Sequence, residues 1–469
     1  MQTTIEQESK VIVPNSWTAL LSEGAGGSPV FALPSHPLVD EDWAEALSTI
    51  PVDLEETAQA TQALRRRREI KTAPDLLRMV LAYSVCDWSL RLVGLWACLQ
   101  MIGSLSDVAV MKRLQHATDW LRSLISAMLQ ARRLHLKAAH PVRVRIVDGS
   151  SISAPGSQGT DYRLHLSLDL GQQCIDGIEV SDVHGGESLA RHACQAGDIW
   201  IADRGYARRD DLGVPLKAGD EVVLRIGWAT FPLEHRDGKP FDLFAWLRQI
   251  PDTQPGEQDV AVTTTQGRFR LRLIARRLPQ AAADSARRRI RRQASKKGKT
   301  PDKRTLEAAG YIILVTSLPA ILWAADQVLE LYRLRWQVEL IFKRLKSILD
   351  LDQLRAKGAA LAQTYLLGKL LAALMIEAMA DQATHRCPEL FAHTHRPVSA
   401  WRWMLVGRDF LFIAVRGRIS WHHFLDRLSD LKRYLCISSR RNRQHQASAA
   451  RALLGRILGP QAIGPPLLS

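Results

Sequence analysis

The cysteines of this chain form no recognisable framework. Six are scattered over 469 residues, and none makes a CxxC pair or follows the spacing of a zinc finger. The sequence therefore excludes a disulfide-stapled secreted domain and a cysteine metal site. It predicts a reducing compartment, in which the cysteines serve as small core residues.

Two further features of secreted and membrane proteins are missing from the sequence. The N-terminus lacks a basic segment followed by an apolar run, so we expect no secretory signal. The apolar stretch 365–379 is interrupted by Gly368, Lys369 and Glu377 and is shorter than a bilayer span requires. We therefore expect a cytoplasmic protein without membrane contact.

Acidic residues are scarce relative to basic ones, and the net charge is +15 with an isoelectric point near 9.8. The imbalance is local, because residues 1–60 hold ten acids and one lysine whereas residues 287–304 hold ten bases and one acid. This balance predicts a polyanionic partner such as nucleic acid. The length of the chain allows roughly two to four domains.

The first 37 residues are rich in Pro and Gly and are expected to be loosely ordered. Helical periodicity then dominates from residue 42 to residue 133, where Pro74 suits a first helical turn and Ser106 suits an N-cap. The three clearest helices are 75–85, 89–101 and 106–114. The last two are laid out like a helix-turn-helix, and Arg65 and Arg66 lie in a basic segment beside it. DNA-reading helices and a plain helical bundle with a solvated basic face fit this pattern equally well.

From residue 142 the pattern changes to strands. Strands are predicted at 142–147, 162–170, 174–180 and 198–202, with a short helix at 186–194. Asp148 is expected to end the first strand, and Asp203 follows the fourth. This order of elements indicates an α/β core without selecting one fold.

After Asp203 the chain is predicted to make a β-rich detour. Strands are expected at 221–226, 259–265 and 268–276, followed by the basic run 287–304 and a buried strand at 311–317. A helix is expected at 359–380. From Cys387 onward the chain reads as helical and basic, and no motif there suggests a role.

The stretch 331–346, LYRLRWQVELIFKRLK, contains no Pro or Gly and has apolar residues at helical spacing. At roughly 100° per residue, Tyr332, Arg335 and Lys346 fall within about 40° of Glu339. They form a line at the border between an apolar and a polar face. An ordinary amphipathic surface helix with an Arg335–Glu339 pair would show the same pattern.

The spacing Y-x2-R-x3-E-x6-K in this helix resembles the YREK motif of DDE transposases of bacterial insertion sequences, in the insertion-sequence-four family. Residues 203–206, DRGY, resemble the motif around that family's second catalytic aspartate, and residues 181–188, SDVHGGES, are also similar to family members. The resemblance spans residues 74–380. Either aspartate alone is more simply a turn residue at a strand end, whereas all three acids in this order favour the family.

The resemblance implies an RNase H-like catalytic core that is interrupted by a β-rich insertion and flanked by N- and C-terminal helical regions. The 136 positions from Asp203 to Glu339 (339 − 203) leave room for that insertion. The implied segments are an N-terminal DNA-end-binding domain at 1–135, the core at 138–215 and 306–385, the insertion at 216–305, and a C-terminal region at 386–469 that could serve dimerisation.

The resemblance also implies the site. Asp148, Asp203 and Glu339 would be the catalytic acids and would hold two Mg²⁺ ions, with Mn²⁺ as a substitute, because two oxygen-ligated metals roughly 3.5–4 Å apart assist phosphodiester cleavage. Arg335 and Lys346 would grip phosphates and Tyr332 would donate a hydrogen bond to one.

Other residues near this site or in the basic segments are expected to contact DNA. They are Arg204, Tyr311, Trp323, Arg65, Arg66, Arg287, Arg288, Arg291 and Arg292. Tyr311 and Trp323 are candidates to receive a flipped base, although both also suit a core. The remaining acids near these strands (Asp161, Asp169, Asp182, Glu187 and Asp198) are not expected to be ligands, and His184 is expected to play a supporting role.

The activity implied by the family is cut-and-paste transposition. A homodimer in a synaptic complex would cleave double-stranded DNA at terminal inverted repeats, form a hairpin intermediate and join the ends to target DNA. The protein would act in association with the bacterial nucleoid. A structure-specific nuclease or resolvase with an RNase H-like fold would cut without joining. A DNA-binding descendant of a transposase is disfavoured, because all three acids are present.

Overall fold

The computed structural model describes residues 38–139, 142–391, 398–419 and 421–435. The loose order expected of the first 37 residues and the end of the segment 386–469 lie outside the described residues. From Val39 onward the described residues belong to one compact unit.

Local sequence signals set the beginnings of the N-terminal helices. The side chains of Thr72, Ser89 and Ser106 each accept a hydrogen bond from a backbone N–H three residues later, which satisfies a free donor at the helix end. The three helices predicted in this region are thereby confirmed. The helices are α1 Leu38–Ser48, α2 Leu54–Ala60, α3 Ala73–Ser84, α4 Leu90–Leu99, α5 Asp107–His116, α6 Thr118–Ala139, α7 Arg209–Lys217, α8 Leu243–Gln249, α9 Gln280–Lys296, α10 Lys303–Ala308, α11 Ala325–Arg333, α12 Gln337–Ile348, α13 Ala359–Arg386, α14 Pro388–Phe391, α15 Ala400–Arg416, α16 Trp421–Asp426 and α17 Leu428–Leu435.

The strands form a single mixed sheet of eight, in the order β3-β2-β1-β4-β5-β8-β7-β6. Strands β1, β4 and β5 are parallel to one another, and the other neighbours are antiparallel. The predicted α/β class is confirmed, as is the hairpin predicted from 162 to 180. The strands are β1 Val144–Ile152, β2 Tyr162–Asp169, β3 Cys174–Asp182, β4 Ile199–Ala202, β5 Glu221–Arg225, β6 Gly256–Thr264, β7 Gly267–Arg277 and β8 Tyr311–Thr316.

Strand β5 falls within the segment 216–305 that was predicted to be an insertion, and it lies in the same sheet as the core strands. Strand β5 pairs with β4 in parallel, from Ile199↔Glu221 to Ala202↔Leu224, so it belongs to the core sheet. The hairpin β6–β7 follows β5 and joins the same sheet through β8. The inserted strands therefore extend the core sheet, because β7 offers β8 a full row of backbone partners.

The prediction of a short helix at 186–194 is wrong. That segment contains only a 3₁₀ turn, Leu189–Arg191, where the side chain of Ser188 accepts from the backbone N–H of Ala190. His192 then returns to extended backbone, with φ −104° and ψ 140°. One capped turn does not extend into a helix here, since the preceding Gly185 and Gly186 favour other conformations.

Helices cover both faces of the sheet and bury two cores. The first core joins the N-terminal helices, α12, α13 and α15 to sheet residues such as Ile146, Ile201 and Val223. The second core lies on the opposite face, where Val147, Trp200 and neighbouring side chains pack against α7 and α8. Side chains alternate between the faces of a strand, so this division states which face each strand residue serves.

Helix α13 is long and apolar enough to cross a membrane, contrary to the short stretch expected from the sequence. In the described part of the chain, 78% of its most apolar window is buried inside the protein. It packs against α3, α6 and α15. This burial is that of a core helix.

A network of buried charges lies beneath the first strand. The side chains of Arg143, Arg145, Asp176 and Asp198 are at most 1% exposed. Arg143 lies 2.6 Å from Asp198 and 3.2 Å from Asp176, whereas Arg145 lies 2.7 Å from Asp176 as an ion pair rather than as an aligned hydrogen bond. The Arg145 guanidinium also stacks on Trp200, 3.9 Å from the ring centroid. These groups fix β1, β3 and β4 to one another.

Candidate active site

The register of two parallel strands places Asp148 beside Asp203. The pairing of β1 with β4 ends at Val147↔Ala202, so each aspartate is the next residue along its own strand. Neighbouring strands are about 4.8 Å apart, and both side chains project from the face of Ile146 and Ile201. The sheet therefore presents two carboxylates side by side towards the first core.

The expectation that Asp148 ends its strand is wrong. Strand β1 continues to Ile152, because β2 pairs with it through Asp148↔Leu166, Gly149↔His165 and beyond. Only the pairing with β4 stops before Asp148. One side of Asp148 is thus held by a strand, while the side towards Asp203 is open.

Arg225 extends this row to a third strand, although no sequence motif includes it. The pairing of β4 with β5 ends at Ala202↔Leu224, which places Arg225 next to Asp203. Its Nη1 lies 3.8 Å from Oδ1 of Asp203. The strand register was the signal that could have identified Arg225, and it depends on assigning β5 to the core.

Helix α12 brings the third acid over the same face. Its apolar residues Val338, Ile341 and Leu345 are buried in the first core, which fixes the helix on the sheet. The predicted continuous helix is interrupted, since Leu334–Trp336 is a 3₁₀ turn between α11 and α12. Glu339 is in the first turn of α12 and is about half exposed.

Two motif side chains connect the three acids. Arg335 donates to Oδ2 of Asp148 at 3.1 Å and to Oε1 of Glu339 at 2.8 Å. The Tyr332 hydroxyl donates to Oδ1 of Asp203 at 3.2 Å. The structure thus brings Asp148, Asp203, Glu339, Tyr332 and Arg335 together, as the motif spacing predicts. One guanidinium spans the acid of β1 and the acid of α12.

The two aspartates differ in acidity. Burial raises the pKa of Asp148 to about 6, against the opposing effects of the Gly149 N–H and Arg335. Burial alone would also raise the pKa of Asp203, but the backbone N–H of Arg204 and the charges of Arg225 and Arg335 bring it below its usual value. Asp203 is therefore the more readily ionised carboxylate of this pair.

The other residues predicted to contact DNA at the site are found in different environments. Lys346 is half-buried in the last turn of α12, and Arg204 is exposed directly after Asp203. Tyr311 is 8% exposed and packs in the second core, on the opposite face from α12, with Arg277 5.4 Å from its ring centroid. Trp323 packs against the first core, and its carbonyl accepts from Arg272. The structure does not gather these two aromatics with the acids.

Trp336 is an exposed aromatic that the sequence pattern left on the polar face. It is 54% exposed and lies in the 3₁₀ turn, directly after Arg335. A flat ring therefore stands beside the residue that links Asp148 to Glu339.

The basic segments occupy two separate surfaces. Arg65 and Arg66 line a cavity of about 590 Å³ together with Arg68, Lys112 and Arg113, the latter two on α5. The run expected at 287–304 is mostly helix α9. Four of its arginines are exposed on that helix: Arg288, Arg289, Arg291 and Arg292.

Most acids set aside in the sequence have structural partners. Asp169 and Asp198 are buried against Arg143. Asp161 accepts from the backbone N–H of Ala154, and Asp182 accepts from that of His184, which is itself exposed. Glu187 has only a loose partner, Arg163 at 3.9 Å, and its charge acts on Asp148.

The donor set suits a hard divalent cation. Among the described residues, no group of three or more His, Cys, Asp or Glu side chains lies close enough together to hold a metal ion. Arg335 stands between Asp148 and Glu339, and a positive group there shows that both carboxylates face one point. The fully buried hydroxyl of Tyr206 has no hydrogen-bond partner within the described residues. Carboxylate oxygens are the ligands that hard divalent cations take.

Comparison with known proteins identifies the class. Residues 140–375 match the family model described as the transposase DDE domain, and these 236 residues (375 − 140 + 1) are half of the chain. The match includes Asp148, Asp203 and Glu339. The protein is therefore a DDE transposase, an enzyme that cleaves and transfers DNA strands.

Two relatives place it more closely. The putative transposase InsL for insertion sequence element IS186A of Escherichia coli (strain K12) is 39% identical over 345 residues, covering 72% of this chain and 93% of the relative. The transposase for element IS231F of Bacillus thuringiensis subsp. israelensis is 26% identical over 365 residues, covering 69% and 76%. The chain belongs to the DDE transposases of bacterial insertion sequences, in the insertion-sequence-four family.

A solved structure is similar at the level of the chain trace. The piggyBac transposase, seen by cryo-electron microscopy in a synaptic complex with hairpin DNA, aligns with 83% of this chain and 84% of its own. The TM-score is 0.41 and the sequence identity is 9%.

Proposed function

We propose that this transposase excises its own element by cutting at terminal inverted repeats and joins the freed ends to target DNA. The observation that carries the proposal is the convergence of Asp148, Asp203 and Glu339 at one edge of the sheet, with Arg335 within 3.1 Å of two of them. Carboxylates that converge in this way can hold the metal ions that assist phosphodiester cleavage.

The three acids would hold two Mg²⁺ ions, and Mn²⁺ would substitute. When bound, such ions activate the attacking oxygen and stabilise the leaving oxygen. The protein's own contribution is to fix the acids: β2 holds Asp148, the Arg204 N–H and Tyr332 hold Asp203, and α12 holds Glu339. These supports keep the carboxylates in place before DNA arrives.

Basic side chains at the site would bind the phosphates that flank the scissile bond. Arg335 and Arg225 already lie beside the acids, and a guanidinium can bind a phosphate through two donors. Lys346 is seven residues beyond Glu339, about 10 Å along the same helix. Arg204 and Lys346 would therefore extend the contact along the strand on either side.

The reaction that we propose has four strand events. Water first cuts one strand and leaves a 3′-hydroxyl. That hydroxyl then attacks the opposite strand, which forms a hairpin and releases the flanking DNA. A second water cleaves the hairpin phosphodiester and frees the 3′-hydroxyl again. This hydroxyl attacks a phosphate of target DNA, and the 3′ oxygen of the target leaves.

The N-terminal helices would bind the element ends. Helices α4 and α5 are consecutive in the chain and pack together, and the groove beside α5 is lined by Arg65, Arg66, Arg68, Lys112 and Arg113. Such a density of cations suits a DNA backbone. The active form would be a homodimer that holds two ends in a synaptic complex within the bacterial cytoplasm, at the nucleoid.

The proposal is tested with a plasmid that carries the element's own ends and with purified full-length protein in Mg²⁺. We expect excised fragments with hairpin ends, followed by products joined to target DNA. Cutting without joining, at any protein concentration, would contradict the transposition proposal and favour a nuclease.

Neutralising the basic surfaces is expected to weaken DNA binding and its dependence on salt. One variant carries Arg65→Gln and Arg66→Gln, and another carries Arg288→Gln, Arg291→Gln and Arg292→Gln. Each lost phosphate contact should reduce the slope of log affinity against log salt by roughly 0.9. Fluorescence anisotropy with a labelled end duplex, at several salt concentrations, measures the slope.

The control removes the same charge elsewhere, through Lys217→Gln, Arg236→Gln and Lys239→Gln on other exposed loops and a helix end. Arg287 is kept apart, because it lies 3.0 Å from Asp284 and donates to the carbonyl of Leu306. Arg287 is expected to hold α9 against α10, in addition to any contact that it makes with DNA. If the α9 variant keeps the wild-type slope and affinity, its arginines are merely solvated.

An aromatic side chain is expected to receive a base during hairpin formation, because the tight bend forces a base out of the stack. Tyr311 and Trp323 are the candidates from the sequence, and the exposed ring of Trp336 is added by the structure. Stacking is worth roughly 1–3 kcal/mol per base, so its loss should slow hairpin formation about tenfold or more and spare the first nick.

Nicking and hairpin yields on a labelled end are compared for Tyr311→Ala, Trp323→Ala and Trp336→Ala. Selective slowing of the hairpin step by one variant identifies the receiving ring. Buried Tyr311 provides the comparison for general loss of packing, which should affect both steps alike. If none of the three changes the ratio of hairpin to nick, the expectation is wrong.

A further inference from the structure

Both motif aspartates are followed closely by glycines that the backbone does not require. Gly149 comes directly after Asp148, and Gly205 comes two residues after Asp203. Neither is among the glycines with positive φ, so a residue with a side chain could adopt either conformation. Another feature must explain why these positions lack a side chain.

The carboxylate of Glu187 fills the space that side chains at both positions would occupy. A Cβ at position 205 would lie 1.5 Å from Glu187 Oε2, and a Cβ at position 149 would lie 3.0 Å from Oε1. Glu187 belongs to the loop between β3 and the 3₁₀ turn, in the stretch SDVHGGES. Its carboxylate is thus wedged between the residue after Asp148 and the turn after Asp203.

The protein gives this carboxylate little compensation. Its ion pair with Arg163 is loose, at 3.9 Å, and its side chain is 26% exposed. The negative charge of Glu187 adds to the effect of burial in raising the pKa of Asp148. The charges of Glu187 and Asp148 also act on the hydroxyl of Tyr206, which is buried and has no hydrogen-bond partner within the described residues. A negative group placed against other carboxylates is unfavourable unless a cation is shared with them.

We propose that Glu187 is a fourth carboxylate of the catalytic centre, and that Gly149 and Gly205 keep the room it needs to reach a divalent cation held by Asp148 and Asp203. The inference rests on the proposed metal site. It assigns the glycines of both aspartate motifs a common purpose, which is access for an acid from a third segment of the chain.

The test measures metal binding directly, with the full-length protein free of DNA. Mn²⁺ is titrated and free ion is followed by electron paramagnetic resonance. Glu187→Gln keeps the shape of the side chain and removes its charge, and we expect Mn²⁺ affinity to fall about tenfold or more, as loss of groups around a metal typically does. Glu221→Gln, the same change at the far end of β5, should bind Mn²⁺ like wild type.

A second set of variants separates ligation from packing. Gly205→Ala should lose Mn²⁺ affinity and thermal stability, because the new methyl group collides with Glu187. Adding Glu187→Ala should restore the melting temperature and leave Mn²⁺ affinity low. If the double variant instead regains wild-type affinity, Glu187 only fills space and the proposal is wrong.

Failure of this inference can be told from failure of the metal site itself. If Asp148→Asn and Asp203→Asn weaken Mn²⁺ binding whereas Glu187→Gln does not, the site stands and the fourth carboxylate is rejected. If none of the three weakens binding, the proposed metal site and the role of Glu187 are rejected together.

Discussion

Asp148→Asn, Asp203→Asn and Glu339→Gln are each expected to abolish strand cleavage while leaving binding to the element ends unchanged. Each substitution keeps the size of the side chain and removes one negative charge from the proposed metal site. Because metal-assisted stabilisation of the transition state is worth several kcal/mol, the cleavage rate should fall on the order of a thousandfold or more. End binding should persist, since the acids do not contribute to attraction for phosphates.

Cleavage of a labelled end duplex in Mg²⁺ and binding of the same duplex in its absence measure the two quantities. Asp161→Asn is the matched control, because it removes an acid from the β1–β2 loop without touching the site. Wild-type nicking by any of the three variants would remove that residue from the catalytic set. Loss of end binding together with cleavage would indicate a folding defect instead.

The second large effect is expected on stability, from Asp176→Ala in the buried charge network. Asp176 has a fully buried side chain beside Arg143 and Arg145, at 3.2 Å and 2.7 Å. Removing it leaves two guanidinium groups with less compensation in a region from which water is excluded. Breaking a buried ion pair from one side typically lowers the free energy of unfolding by roughly 3–5 kcal/mol.

Urea denaturation followed by circular dichroism measures the change. Asp237→Ala, at the exposed Lys239–Asp237 pair, should leave the transition where it is in wild type. Catalysis should decline with stability only, since Asp176 lies on β3 and does not face the acids. A midpoint for Asp176→Ala equal to that of wild type would show that the network is not needed for folding.

The sequence predicted elements whose signals are local. The helices that begin after Thr72, Ser89 and Ser106 follow from capping residues and apolar spacing, and both appear within one turn of chain. The limits of β1 do not follow in this way. Its extension past Asp148 depends on β2, which is contributed by another part of the sequence. The same holds for β5 and for the hairpin β6–β7, whose places depend on partners far along the chain.

The site divides along the same line. Asp148, Asp203, Glu339 and the residues of the YREK motif could be predicted because their order and spacing along the sequence resemble the motifs of the family. Arg225 and Glu187 could not, since no motif includes Arg225, and Glu187 was set aside as a ligand although it lies in the family-like stretch SDVHGGES. Only the parallel register brings Arg225 to Asp203, and only the fold brings Glu187 to the two glycines. Local sequence motifs were sufficient to predict the three acids, but they were insufficient to predict the charged groups around them.

The single eight-stranded sheet leaves no hinge between the inserted hairpin and the catalytic strands. β7 pairs with β8 over six residues, β8 pairs with β5, and β5 continues the row that carries Asp203. A force that bound DNA applied to α9 would therefore be transmitted through the same sheet that holds the acids, because no flexible hinge lies between them. Closure around a DNA end would then come from loops, because the inserted strands cannot swing as a separate lobe.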